Sequence, residues 1–195
     1  MKNSLSLRSM VLATGVVATL AMVGCTTTGN TQGKASAPSN RAELESQANA
    51  ALNRLYGAMP GTKEMVSKAQ GVLVCPAVIG GSFVIGAEHG KCVLRSGGTS
   101  RGYYSTTAAS IGWQAGGQSK AVIYIFNSAD AYKKFLSSDG WSVGADATVA
   151  VGKAGANGSV DTATANAPVS SYVLTNTGLE AGVSVQGSKI SKISI

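Results

Sequence analysis

The first pattern that could carry chemistry is Gly140-Trp-Ser-Val-Gly144, which fits the G-x-S-x-G motif of serine hydrolases. That motif needs a strand before the serine, a helix after it and a histidine base downstream. Here a helical pattern precedes Ser142, an alternating pattern follows it, and the single histidine, His89, lies upstream. We therefore predict no serine nucleophile. An enzyme would need a polar pocket that gathers Ser142, His89 and an acid.

Two further patterns also fall short of a site. Gly182–Lys189 approaches a phosphate-binding loop, but that loop needs Lys before Ser/Thr, and the order is reversed here. We interpret it as a turn between strands. His89 lies in a polar stretch that we interpret as another turn, and no second histidine or spaced cysteine pair completes a metal site. The sequence predicts no metal and no cofactor.

The acidic residues offer no close pair for acid–base catalysis. They are separated in sequence, although folding could bring Asp146 and Asp161 together. Without such a pair we expect no catalytic residues and no enzyme.

Cys75 and Cys92 are candidates for a covalent cross-link. The N-terminal pattern described below predicts that the chain is exported. An exported chain meets an oxidising compartment, in which such a pair usually forms a disulfide bond, and two buried thiols are the alternative. In the loop-entropy treatment, a disulfide that closes a loop of this length stabilises the folded state by about 3 kcal/mol. The bond would therefore be structural rather than catalytic. If both cysteines lie on neighbouring strands, the bond fixes one pairing early in the sheet.

The N-terminal segment has the pattern of an export signal. Lys2 and Arg8 give a positive start, an apolar stretch covers Val11 to Val23, and the small residue Gly24 follows. The apolar stretch is shorter than the about 20 residues that a membrane-spanning helix needs. We therefore expect residues 1–24 to be a signal peptide that is removed.

Met22-Val-Gly-Cys25 resembles the lipobox of bacterial lipoproteins, with Met where Leu is more usual. The resemblance implies a lipid on the Cys25 sulfur, cleavage before it, and a further acyl chain such as palmitate on the new amino group. An ordinary secretory signal is the alternative. Several acyl chains together anchor a protein firmly in a membrane. Thr26 in place of Asp favours an outer-membrane lipoprotein that faces the periplasm or the cell surface. Residues 25–39 then form the acylated end and a flexible polar tether that spans roughly 20 Å on average.

The charge balance favours an anionic lipid or a polyanion as a partner, and an ordinary solvated surface is the alternative. Loss of Lys2 and Arg8 leaves 14 basic against nine acidic residues, a formal charge of +5. The basic residues are scattered, and no basic run interleaved with aromatic residues indicates nucleic acid. We expect no nucleic-acid partner, and a mildly basic surface.

Three segments have helical patterns. Asn40 with an acid three residues on resembles an N-cap, and apolar residues then recur at helical spacing, which predicts a helix over 41–58. A Pro-Gly pair ends it, and residues 62–70 predict a short second helix stopped by Gly71. Residues 128–138 begin with a capping serine and have one apolar face, so we expect a third helix across the sheet.

The remaining segments are rich in β-branched and small residues and are punctuated by glycine, which predicts antiparallel strands. The fold class is therefore α+β: a mainly antiparallel sheet, curled or forming a partial barrel, with an N-terminal helical pair and one further helix. Residues 40–195 should form one domain. The predicted strand segments are 71–81, 82–90, 91–98, 102–117, 119–128, 141–153, 158–169, 171–177, 178–187 and 188–195.

From about Gln47 to Ile195 the chain resembles the SYLF domain family, also called the Ysc-type actin-binding family. The order and spacing of the matching segments span nearly the whole predicted domain. The segments that carry the resemblance are 68–74 (KAQGVLV), 80–86 (GGSFVIG), 102–105 (GYYS), 114–120 (QAGGQSK), 141–150 (WSVGADATVA) and 179–190.

The resemblance implies a non-enzymatic module. Eukaryotic members bind phosphoinositide membranes through a basic amphipathic N-terminal helix, and fungal members bind actin. Because an envelope protein does not meet actin, lipid-surface binding is the property that carries over. The positions that match the helical region and the start of the core are Arg41, Arg54, Lys63 and Lys68, whose long side chains can reach phosphates. Helices that simply cover the sheet are the alternative.

We therefore predict a lipoprotein anchored in the outer membrane whose domain binds an anionic phospholipid surface. The alternative is a structural or protein-interaction lipoprotein of the cell envelope whose domain binds no lipid. The residue pattern alone leaves the lipid head group and any protein partner open.

Overall fold

The computed structural model describes residues 37–82, 85–111, 114–153, 159–180 and 185–195. The predictions for the signal peptide, Cys25 and most of the tether lie outside these residues. Within the described ranges, no helix is both long enough and apolar enough to cross a membrane.

Three helices form where the sequence predicts them. The helix α1 covers Arg41–Ala58, and its N-cap Asn40 accepts a hydrogen bond from the backbone N–H of Glu43. The helix α2 covers Gly61–Lys68, so it ends before Gly71. The helix α3 covers Ala129–Leu136 and is capped by the Ser128 side chain.

A fourth helix, α4, covers Thr162–Asn166 and corrects the strand predicted over residues 158–169. Alternating Thr and Ala suggested a strand, but Asp161 acts as an N-cap. Its carboxylate accepts hydrogen bonds from the Thr164 backbone N–H at 2.9 Å and from the Thr164 hydroxyl at 2.6 Å. These bonds lower the pKa of Asp161 and favour one helical turn over an extended chain.

The strands form one curled, mostly antiparallel half-barrel, which confirms the predicted fold class. The sheet order is β5-β9-β3-β2-β1-β4-β7-β6, and β8 also pairs with β7. Of the pairs between these strands, only β6 with β7 is parallel. The strands are β1 Gly71–Ser82, β2 Ile85–Ser96, β3 Thr99–Ile111, β4 Gln114–Phe126, β5 Trp141–Ser142, β6 Ala150–Val151, β7 Val169–Thr175, β8 Gly178–Leu179 and β9 Lys189–Ile193.

The predicted break at His89 and Gly90 was wrong, because β2 runs through both residues. A Cβ on Gly90 would lie 2.8 Å from the carbonyl oxygen of Ala77 on the neighbouring strand. The glycine therefore permits a close approach of two backbones rather than a turn. The segments 141–153 and 178–187 were also predicted as strands, but in their described parts only β5, β6 and β8, of two residues each, are extended strands.

A β-bulge in β1 explains how Pro76 lies inside a central strand. Val74 pairs with Val93 and Ala77 pairs with Lys91, so β1 has one more residue than β2 between these pairs. Bulges are where a proline, which donates no ladder hydrogen bond, is tolerated within a sheet. The sulfur atoms of Cys75 and Cys92 are joined across the same two strands at 1.99 Å, in a disulfide bond.

Alternate residues of the central strands pack into two apolar clusters, one on each face of the sheet. On one face, α1 buries Leu44, Ala48 and Leu55 against β1, β4 and β7. On the other face, α3 contributes Phe135, whose ring lies 5.5 Å from the ring of Trp141. The sheet is therefore covered by helices or loops on both faces near its centre.

Candidate functional site

The predicted lipid-binding residue Arg41 lies at the start of α1 and is held by the C-terminal end of the chain. Its guanidinium donates a hydrogen bond of 2.6 Å to the carbonyl oxygen of Ile195 and lies 4.9 Å from the centre of the Tyr103 ring. The contact with the Tyr103 ring is a cation–π interaction. Arg41 therefore helps to hold α1 against the β3–β9 strand pair.

The other predicted basic residues do not form one cluster with Arg41. Arg54 lies thirteen residues further along α1, a separation of about 20 Å along the helix axis, and donates a hydrogen bond to the Thr175 carbonyl. On α2, Lys68 is paired with Glu64 at 2.6 Å, and both side chains are exposed. Lys63 is exposed on the same helix. The structure thus spreads the four residues over the helical side of the domain.

Glu45 binds α1 to the β2–β3 hairpin. One carboxylate oxygen lies 2.5 Å from Nη2 of Arg95, and the other accepts hydrogen bonds from the hydroxyls of Ser100 and Tyr103. Burial raises the pKa of this carboxyl, but the hydrogen bonds from Ser100, Arg95 and Tyr103 outweigh that effect and lower it. Arg95 therefore serves the fold, with its charge neutralised.

A groove of about 340 Å³ lies between α1, α2 and the β2–β3 turn. Arg95 lines it, and because Glu45 neutralises this arginine, the groove carries no unpaired charge. Burial raises the pKa of the Tyr56 hydroxyl at its rim. The other side chains that line it are Leu52, Val66, Ala69, Val72, Asn49, Asn53 and Ser96. An apolar floor with an amide and phenol rim suits a neutral, partly apolar group.

Sequence reasoning missed a polar surface on the sheet. Cross-strand partners point to the same face, and the register of β5, β9, β3 and β2 aligns two rows. We call these seven residues the open sheet surface: Ser142, Lys189, Thr107 and His89 in one row, and Ser191, Ser105 and Lys91 in the next.

Three members of the open sheet surface, Lys189, Thr107 and His89, are exposed, and the remaining four are half-buried. The imidazole Nδ1 of His89 lies 3.4 Å from the Thr107 hydroxyl oxygen. None of the seven residues is acidic. Two of them, His89 and Lys91, alternate with inward-facing residues along β2. This alternation would have been visible in the sequence, had a turn not been predicted at His89.

The residues of the G-x-S-x-G pattern do not form a catalytic group with His89. Two strands, β9 and β3, lie between Ser142 and His89. Three strand spacings separate their backbones by roughly 14 Å. Asp146 accepts a 2.6 Å hydrogen bond from the backbone N–H of Ser142, so this carboxylate caps a turn. In the described part of the second pattern, Gly187 has a positive φ of 79° and leads into β9, as a strand turn does.

The acids Asp146 and Asp161 lie on opposite sides of the sheet. Ala147 packs with the cluster that contains Phe135, whereas Val160 packs with the cluster beneath α1. Folding therefore does not bring Asp146 and Asp161 together as a carboxylate pair. Among the described residues, no three side chains of His, Cys, Asp or Glu come together as a metal site would require.

The half-barrel with helices on both faces defines a domain of the α+β class. The model of the family described as Ysc84, Las17-binding protein actin regulator, matches residues 107–194, which run from within β3 into the C-terminal end of the chain beyond β9. Over these residues the chain is similar to the SYLF family, which supports the predicted resemblance for this part of the domain. No curated protein matches the chain.

Proposed function

We propose that this protein is an outer-membrane lipoprotein whose non-enzymatic SYLF domain binds an anionic phospholipid surface. The observation that carries the proposal is how the fold uses its acids. Glu45, Glu64 and Glu88 each pair with a basic residue, and Asp146 and Asp161 accept backbone N–H groups. The excess positive charge therefore remains on exposed Lys and Arg side chains, where it attracts anionic head groups.

The acyl anchor and the domain have separate roles in this proposal. Lipid on Cys25 accounts for residence in the membrane, since several acyl chains hold a protein firmly. Binding of phospholipid by the domain would then orient it on the membrane or bring it to a second membrane surface.

Vesicle binding without the acyl anchor tests the activity of the domain. The chain from residue 25 with Cys25→Ser carries no lipid, and we expect it to co-sediment with vesicles that contain phosphatidylglycerol but not with phosphatidylcholine alone. Binding should weaken between low and high salt, because the Debye length shrinks from about 30 Å at 0.01 M to about 8 Å at 0.15 M. Absence of binding to the anionic vesicles at low salt contradicts the proposal.

Cell fractionation tests the anchor. Cys25→Ala removes the acylated sulfur, so we expect the protein to move from the membrane to the soluble fraction. The wild-type chain, fractionated in parallel, should remain in the outer membrane after a high-salt wash. A Cys25→Ala variant that also remains there after this wash would show that the tether is not the main anchor.

The groove beside α1 favours a second candidate function, a protein-interaction lipoprotein of the envelope. Its neutral charge and its floor of Leu52 and Val66 suit a partner's peptide segment better than a phosphate. Cross-linking in intact cells from Asn53→Cys, at the rim, would support this function if it trapped one protein in stoichiometric amount. If the cross-linking traps no protein, this result argues against the protein-interaction function.

A further inference from the structure

Resting on the proposed function, we infer that the open sheet surface is the part of the domain that docks on the anionic phosphates of a membrane. Lys189 and Lys91 supply positive charge there, and neither forms an ion pair with a described residue. The serine and threonine hydroxyls beside them donate hydrogen bonds to phosphate oxygens as readily as to water. Charge and hydrogen-bond donors thus lie on one face of the sheet.

The shape of this region also suits a flat partner. In the row beyond His89 and Thr107, the paired residues are Ala87 and Ala109, which are exposed and short. Apart from His89 and the two lysines, the side chains of these three rows are serine, threonine and alanine, which are shorter than lysine. A membrane can therefore meet several strands at once.

The described chain enters the domain beside this surface. Lys91 donates a hydrogen bond of 3.2 Å to the carbonyl oxygen of Pro38, whose side chain is buried. The polypeptide thus joins the domain beside one row of the open sheet surface. A flexible segment of the length from Cys25 to Pro38 spans roughly 20 Å on average, so the surfaces near Pro38 are the ones closest to the membrane that holds the acyl chains.

The helical side offers less to a phosphate. Lys68 is already paired with Glu64, and Arg54, like Lys91, donates a hydrogen bond to a backbone carbonyl. Arg54 also lies about 20 Å along α1 from the end where the tether joins. The charge of Lys91 is one of the causes that lower the pKa of Glu43. The Glu43 carboxylate accepts hydrogen bonds from the backbone N–H and the hydroxyl of Ser39.

Three double variants of equal charge change test the location in the unacylated Cys25→Ser chain. Lys91→Gln with Lys189→Gln should weaken binding to phosphatidylglycerol vesicles by roughly 30-fold, at about 1 kcal/mol per lysine near the surface. Lys133→Gln with Lys134→Gln on α3 is the matched control, which should lose less than about threefold through net charge alone. Arg54→Gln with Lys63→Gln tests the helical side.

The outcomes separate this inference from the proposed function. Selective loss in the Lys91 and Lys189 variant supports the inference, whereas equal loss in all three variants or selective loss in the Arg54 and Lys63 variant overturns it and leaves phospholipid binding intact. If the parent chain binds no anionic vesicle, both fail together.

A label gives a readout that needs no charge change. Ala109→Cys carrying an environment-sensitive fluorophore should shift its emission to the blue when anionic vesicles are added, because the fluorophore enters the head-group layer. The same fluorophore on Ser137→Cys, at the exposed end of α3, should not shift. A shift at position 137 alone would place the docking surface elsewhere and overturn the inference.

Discussion

Replacing Cys75 and Cys92 together by alanine should lower the free energy of unfolding by about 3 kcal/mol. The two cysteines are 17 residues apart, and joining them removes conformational freedom from the unfolded chain. Both side chains are fully buried in the cluster beneath α3, so the bond crosses the core rather than an exposed loop. Urea unfolding of the oxidised wild type and of the double variant measures the difference.

Reduction provides the control for this disulfide prediction. Wild-type protein unfolded in the presence of dithiothreitol should lose most of the same free energy, and the double variant should not respond to the reductant. The remaining difference between reduced wild type and the variant then measures the packing of two buried sulfur atoms. Equal stability of wild type with and without reductant, with free thiols confirmed by labelling, contradicts the prediction.

The elements with strong local signals could be predicted from the sequence. The bounds of α1 follow from the Asn40 cap and from apolar residues at helical spacing, and both determinants lie within a few residues of each other. The cap of α3 by Ser128 is equally local. Such elements need no knowledge of the tertiary fold.

Glycine misled the strand predictions because its role depends on distant neighbours. Gly90 was interpreted as part of a turn, but it lies in β2 opposite the bulge of β1, where a Cβ would meet the Ala77 carbonyl. A turn and a close backbone approach both favour glycine, and only the pairing partner distinguishes them. At α4, the local cap by Asp161 was present in the sequence but outweighed by the alternation of Thr and Ala.

The candidate surfaces depend still more on tertiary structure. Arg41 and Arg54 were selected for their position on a helix, yet their hydrogen-bond acceptors, Ile195 and Thr175, are 154 and 121 residues away in the chain. The open sheet surface is assembled by the register of four strands from across the domain. The row from His89 to Ser142 can be predicted only when β9 is known to lie between β3 and β5.

Glu45→Gln should destabilise the domain by about 2 kcal/mol near neutral pH, because it leaves the largely buried guanidinium of Arg95 without its charged acceptor. The amide keeps the shape of the carboxyl group but not its charge. Chemical unfolding of both proteins at a series of pH values measures the difference. Glu64→Gln is the matched control, since the Lys68–Glu64 pair is exposed and should contribute little.

The pH dependence of this difference follows from the lowered pKa of Glu45. A carboxyl whose pKa is lower in the folded state stabilises the fold fully above its unfolded value, near 4.5, and loses that contribution as the pH falls through the folded pKa. Wild type and Glu45→Gln should therefore differ most above about pH 5, and converge in acid, where the protonated carboxyl resembles the amide. A difference that stays constant from pH 7 to below the folded pKa would mean that Glu45 acts through packing and not through its charge on Arg95.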